Sequence, residues 1–586
     1  MVRLFPLVLF VTAGLSAQTP FFPIQDIRPG MRAVGKTVFS GDRVEEFQAE
    51  ILGVLENVGP KQSLILARLS GGPLDRTSVM QGMSGSPVYI DGKLIGAVAM
   101  AFPWAKEPIA GIRPIEEMIR AASGPPERVQ RASVSLAETD LTRSLPKPRD
   151  VLAGGARLTE VATPVSFGGF TPGAIEQFAP QLRALGLEPR AGVNAGGRVD
   201  PSRMGSPAAL QPGSMITVQL MSGDLNIGAD GTVTHIDGNK VYAFGHRFLS
   251  VGATALPFAR SEVLTLLPML STSFKISSPK ELMGTISQDR NTTVVGELGR
   301  RAPMVPVSIG MSRGGRKLDS YDIRMVNDRF LAPLLIQMAV FSAIDATERT
   351  VGASTLRVKG EIELQGAAVP IKVHNMYAAD NGSAILASLS AAAPLAWVLQ
   401  SGFESLAIRK VALEIESFSE KKQLQIDQVT AARREVRPGE KVELFTVLVG
   451  ENGQEVTRKV EYQVPVGARP GPLFFTVADG ATANLQDFRV LAASPPRSVE
   501  QVISTVNSLR DNTKAYVRVW RPDPAFQMEG ADLPDPPPSV AMILGGAQPG
   551  AGVIQQTRNA KVAELEIAAA DMVISGSKTI QVEVKE

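Results

Sequence analysis

The heptapeptide Gln81-Gly82-Met83-Ser84-Gly85-Ser86-Pro87 runs directly into Val88-Tyr89-Ile90, the turn pair Asp91-Gly92 and the apolar stretch Lys93 to Ala99. Asp-Gly between two apolar runs is the strongest short-range hairpin signal, so Ser84 is expected on a bend fastened to a sheet. Gly82 and Gly85 remove the Cβ atoms that would crowd the bend, so backbone N–H groups can converge on one small space able to hold an oxyanion. A tight turn without chemistry is the other reading of the same residues, because Gly, Ser and Pro dominate turns for conformational reasons alone.

Around this box the composition narrows the function classes. The chain has 586 residues, enough for three or four domains at roughly 150 residues each. Sixty basic residues balance 58 acidic ones, giving a net charge of +2 without long runs of one sign. Neither nucleic-acid binding nor a polybasic membrane patch is therefore expected. With 54 Gly, 42 Pro and only 5% aromatic residues, a mainly β chain of short strands and turns is expected. The absence of cysteine excludes disulfides, a thiol nucleophile and thiolate metal ligands. The three histidines are too widely spaced, or too opposed on one hairpin, for a zinc site, and no cofactor is expected.

Residues 1–17 read as an export signal: Arg3 gives the positive charge, Leu4 to Leu15 the apolar core, and Ser16-Ala17 the small residues before a cut near Ala17. A periplasmic or extracellular chain follows. No later apolar run approaches about 20 residues, so no integral membrane segment is expected after processing.

Residues 18–121 form the expected serine-bearing β lobe, with strands at Ala33 to Phe39, Val44 to Leu55 and Ser63 to Leu69 and a short helix from Pro114. Residues 122–211 are a linker, polar and proline-containing from Ala122 to Gly155, followed by a helix that starts at Thr171-Pro172-Gly173. Residues 212–315 form a second β lobe. Its hairpin, Gly231-Thr232-Val233-Thr234 to Ala243-Phe244, turns at Asp237-Gly238-Asn239 and ends in Gly245-His246, again a side chain offered behind a glycine. His235 reads as a half-exposed polar residue and His374 as an ordinary strand residue. Residues 316–424 read as a β-rich domain with one helix, Ala332 to Ala346, and residues 425–586 as a β-sandwich-like region. Within the latter, Ser498 to Leu509 is a helix and Pro534 to Pro538 a stiff polyproline stretch.

The serine box resembles the Gly-Met-Ser-Gly-Ser-Pro box of the stage IV sporulation protein B (SpoIVB) serine peptidases, relatives of the chymotrypsin-like clan. The likeness extends through Val44-Glu45-Glu46-Phe47, Glu50-Ile51 and Gly92 to Val98, and again through the Gly231 to His246 segment and Met283-Gly284-Thr285-Ile286. It implies a two-lobed chymotrypsin-like β-barrel region, Ser84 as nucleophile and His246 as general base. In that family the histidine segment precedes the serine segment, whereas here the order is exchanged. The aligned region Leu69 to Gly71 also lacks the family's aspartate. Asp75 is taken as the third member, with Asp224, Asp237 and Asp289 as rivals, and the N–H groups of Gly82 and Ser84 as the oxyanion hole. The reading is an exported serine endopeptidase acting on protein or peptide, itself included. A secreted binding scaffold that keeps the lobes without the chemistry is the alternative.

Overall fold

The computed structural model describes residues 21–124, 140–143, 145–148, 150–153, 156–191, 203–347, 352–451, 453–491, 496–528, 531–533, 536–546, 554–557, 559–569 and 571–586. The export signal lies outside them.

The first lobe is a closed β-barrel. Its strands are β1 (Arg32–Val38), β2 (Val44–Gly59), β3 (Gln62–Ser70), β4 (Pro87–Ile90), β5 (Lys93–Ala101) and β6 (Ile109–Pro114). They pair in the order β4-β1-β2-β3-β6-β5, and the β4–β5 hairpin at Asp91-Gly92 closes the ring. On β2, Phe47, Ala49 and Ile51 turn inward while Glu46, Gln48 and Glu50 turn outward, the period-2 alternation of a half-buried strand. A turn of helix, α1 (Leu74–Thr77), leads toward the serine box, and α2 (Ile115–Ala122) follows β6 with Pro114 as its N-cap residue.

The stretch expected to be a linker instead contributes to both lobes. Strands β7 (Val151–Ala153) and β8 (Ala156–Glu160) extend the first sheet beside β5, whereas β9 (Thr163–Gly168) and β10 (Leu187–Ala191) begin the second sheet. Between them lies the expected helix, α3 (Pro172–Ala184), whose N-cap Thr171 side chain accepts the Ala174 N–H. These four strands are only three to six residues long, so alternation has little length in which to show.

A second ring is formed by β11 (Met215–Gly223), β12 (Asn226–Asp237), β13 (Lys240–Ala243), β14 (Gly252–Leu267), β15 (Phe274–Arg290) and β16 (Thr293–Leu298). The order β12-β13-β16-β15-β14-β11 closes through the β11–β12 pairing. The expected two-lobed β-barrel region is therefore present. The second sheet continues through β17 (Met304–Arg313), β18 (Arg316–Val326), β19 (Ser354–Gln365), β20 (Ile371–Ala379) and β21 (Ala407–Phe418). A boundary at residue 315 thus falls inside the β17–β18 hairpin, and the expected separate domain shares a sheet and a core with the histidine lobe. That region holds two packed helices, α4 (Leu331–Thr347) and α5 (Ser383–Leu399), where one was expected. Both are apolar on most faces, as buried helices are. Without a polar stripe, α5 carries little periodic signal.

The C-terminal region is a β-sandwich, as expected. Strands Gln423–Ala431, Lys441–Gly450 and Glu455–Gln463 lie in one sheet, and Gly471–Asp479, Lys514–Arg521, Ala560–Ala568 and Ser577–Val584 in another. Leu444, Phe475, Val517 and Val582 fill the space between. The helix Val499–Asn507 is capped by Ser498.

Candidate active site

Ser84 sits where the first barrel meets the second. The Gln81 amide donates to the Ser273 carbonyl at 2.9 Å and the Lys275 amide to the Gln81 carbonyl at 3.2 Å, so β15 takes hold of the box at its first residue. On the other side, the Thr232 amide donates to the Ser84 carbonyl at 2.9 Å. The Thr232 and Thr234 hydroxyls donate to the carbonyls of Gly82 and Gly85 at 2.8 and 2.7 Å. The box is also tied to its own barrel through Gly85 N–H to the Val98 carbonyl, 2.8 Å. Gly85 is required twice over: its φ is +94°, and a Cβ there would fall on the Thr232 carbonyl and within 2.5 Å of the Phe244 nitrogen. Among the described residues, the Gly82 and Ser84 N–H groups have no protein acceptor.

His246 reaches the same seam by a kink. After β13, Phe244 and Gly245 take φ values of +72° and +69°. The Phe244 amide donates to the Thr232 carbonyl at 3.2 Å. Gly245 lies so close to Val98 that an added Cβ would stand 3.1 Å from its carbonyl oxygen, the oxygen that Gly85 also uses. His246 Nδ1 is 2.6 Å from the Arg247 carbonyl. Because a carbonyl only accepts, Nδ1 carries the hydrogen and Nε2 is left as the basic nitrogen. Burial pushes the imidazole down to about 4; the Arg247 carbonyl works against that shift, while the Arg113 and Arg247 charges add to it. The ring is neutral at physiological pH.

Ser84 Oγ and His246 Nε2 are both buried, and both lack a hydrogen-bond partner. They do not bond to each other. Each such orphan costs about 1–3 kcal/mol, and native proteins carry few of them.

The acids fall into place differently from the expectation. Asp75 lies on the exposed face of α1, and the structure does not join it to His246, whose Nδ1 is held by backbone. Asp237 is exposed at its hairpin turn, and Asp224 accepts the Asp322 N–H at 2.8 Å. Asp289 is the buried one: it accepts the N–H groups of Phe248, Leu249 and Val251 at 2.8, 2.7 and 3.2 Å. It thereby fixes the loop that follows His246. Burial pushes its carboxyl up to about 6 against those hydrogen bonds. His235 is half-buried beside Phe21 and Tyr242, and His374 stands near Asp511, at 3.6 Å. No group of three or more His, Asp or Glu residues among the described residues is arranged to hold a metal.

Sequence reasoning missed a buried polar network at this seam. Lys275 Nζ donates to the Thr37 hydroxyl at 2.7 Å, which also receives the Ser86 hydroxyl at 3.0 Å. Nearby, Asp230 accepts the hydroxyls of Thr217 and Ser277 at 2.5 and 2.6 Å. Burial lowers Lys275 to about 7, countered by the Asp230 charge, and burial raises Asp230 to about 6. A lysine at an inward position of Phe274-Lys275-Ile276 was the available signal.

No curated protein and no solved structure matches the chain. Residues 16–119 match the family described as SpoIVB peptidase S55; the family likeness therefore holds for the first barrel, which carries Ser84 but not His246, and marks this protein as serine peptidase-like.

Proposed function

We propose that the protein is an exported serine endopeptidase in which Ser84 and His246 act across the seam between the two barrels. The observation that carries this reading is the pair of buried, unpartnered atoms, Ser84 Oγ and His246 Nε2, delivered to one seam by glycine-dependent bends from different lobes. Neutral His246, with Nε2 free, is in the protonation state a general base needs. In the reaction Ser84 Oγ attacks the peptide carbonyl carbon as Nε2 takes its proton, and the imidazolium then gives that proton to the leaving amine. Water repeats the sequence on the acyl-enzyme. The free N–H groups of Gly82 and Ser84 stabilise the oxyanion, each donor contributing about 3 kcal/mol. The Arg247 carbonyl orients the ring in place of a carboxylate, and Asp289 holds the loop behind it.

One observation favours the scaffold reading: Ser84 and His246 share no hydrogen bond in this closed seam. Covalent labelling by a fluorophosphonate decides between the two, since that chemistry requires an activated hydroxyl. Export is part of the proposal through residues 1–17. Among the described residues no helix is long and apolar enough to cross a membrane.

A further inference from the structure

We propose that the cleft between the 102–105 turn of the first barrel and the 269–273 segment of the second receives a leucine- or phenylalanine-sized side chain of an extended peptide, an inference that rests on the peptidase reading above. The cleft has a volume of about 140 Å³. An apolar cavity of about 150 Å³ holds benzene, so an aromatic or branched aliphatic side chain fits.

Its position ties it to both halves of the site. Gln81, the first residue of the serine box, lines it together with Ser273, whose carbonyl accepts the Gln81 amide. Glu160 lines it as well, and its carboxylate is 3.4 Å from Nε of Arg247, the residue after His246. A ligand seated here therefore touches groups that set the positions of Ser84 and His246.

Its chemistry disfavours charged ligands. Glu160 is the one charged residue lining the cleft, and Arg247 already neutralises it. The rest of the wall is neutral and mixed, apolar at Val79, Phe102 and Met269 and hydroxyl-bearing at Thr77, Thr159 and Ser271. At the rim, Trp104 is 74% exposed and holds φ at +64°, and Leu270 is 98% exposed. A large side chain in the left-handed region is a strained arrangement of the kind concentrated at ligand clamps. Here it comes from one barrel, and a fully exposed leucine comes from the other.

The test uses the full chain carrying Ser84→Ala, which binds without cleaving, and short alanine-based peptides that differ only in one central Leu, Phe, Asp or Lys. The Leu and Phe peptides should bind at least about tenfold more tightly than the Asp and Lys peptides. Adding Leu270→Asp should reduce that ratio to about threefold or less. Trp104→Gly should also reduce it, and a glycine at a positive φ keeps the turn intact. Equal affinity for the four peptides, no measurable binding, or a preference untouched by both variants overturns the inference. Fluorophosphonate labelling of the unmutated chain is scored separately. If labelling fails while the apolar preference holds, the peptidase reading falls and the peptide cleft stands. If labelling succeeds without the preference, the cleft inference falls alone.

Discussion

The amide of Thr232 donates to the carbonyl of Ser84 at 2.9 Å, so a strand of the second barrel holds the peptide unit of the proposed nucleophile of the first. The exchanged order of the two segments along the chain is no obstacle, because geometry alone defines such a site. The same strand receives the Phe244 amide that starts the bend toward His246. One residue thus ties the serine box to the bend that leads to His246.

Ser84→Ala should abolish fluorophosphonate labelling. His246→Ala should slow it by about 10²–10⁴-fold, the usual contribution of a general base. His235→Ala should leave the rate within about twofold, because that ring packs beside Phe21 and Tyr242 and has no place in the chemistry. Mass spectrometry of the labelled peptide checks each outcome.

The depressed His246 pKa, about 4 against an ordinary 6.5, carries a sign. As pH falls from about 6.5 to 4, the unfolded chain takes up a proton that the folded ring refuses. Folding then loses up to about 3 kcal/mol through this residue. Asp230 and Asp289, raised to about 6, act in the opposite direction over about the same range. The clean measurement is therefore the difference between wild type and His246→Gln in urea unfolding at pH 7 and pH 4.5, where wild type should lose stability relative to the variant. Labelling should also persist to about pH 5, below the range of an ordinary histidine.

Lys275, lowered to about 7 from 10.5, behaves in a complementary way. Between those values the unfolded chain holds a proton that the folded chain lacks, so folding gains stability as pH rises, by about 1.4 kcal/mol per pH unit at most. Lys275→Met should remove that slope between pH 7.5 and 9.5. An equal slope in the variant would place the titration elsewhere.

Gly85→Ala puts a Cβ onto the Thr232 carbonyl at a φ of +94°. It should cost more than about 3 kcal/mol and abolish labelling, since the seam must open to admit it. Gly92→Ala is the control: φ is +74° with open space around it, so only backbone strain of about 1 kcal/mol applies. Denaturant unfolding of the two variants measures the contrast.

Asp289→Asn should loosen the Phe248 to Val251 loop. An amide has one acceptor oxygen, whereas the carboxylate offers two oxygens to the three N–H donors, and an unsatisfied buried donor costs about 1–3 kcal/mol. Faster hydrogen exchange at the amides of Phe248, Leu249 and Val251, with slower labelling of Ser84, is the expected result. Unchanged exchange would remove Asp289 from the site.

The sequence by itself determined the mainly β class, the Asp91-Gly92 hairpin, the Thr171-capped helix and the bends at Ser84 and His246. All of these rest on local rules: alternation, turn chemistry, capping and glycine at positive φ. Only the tertiary structure decided that β7 to β10 join two different sheets, that residues 316–424 share the histidine lobe's core, and that the Arg247 carbonyl meets His246 Nδ1 while Asp289 holds the following loop and Asp75 stays exposed. It also decided that Thr37, Ser86, Lys275 and Asp230 meet at one seam. Strands of three to six residues leave little alternation to read, helices buried on most faces show no stripe, and residues more than 200 positions apart become partners only when two closed barrels pack. No spacing along the chain encodes that contact.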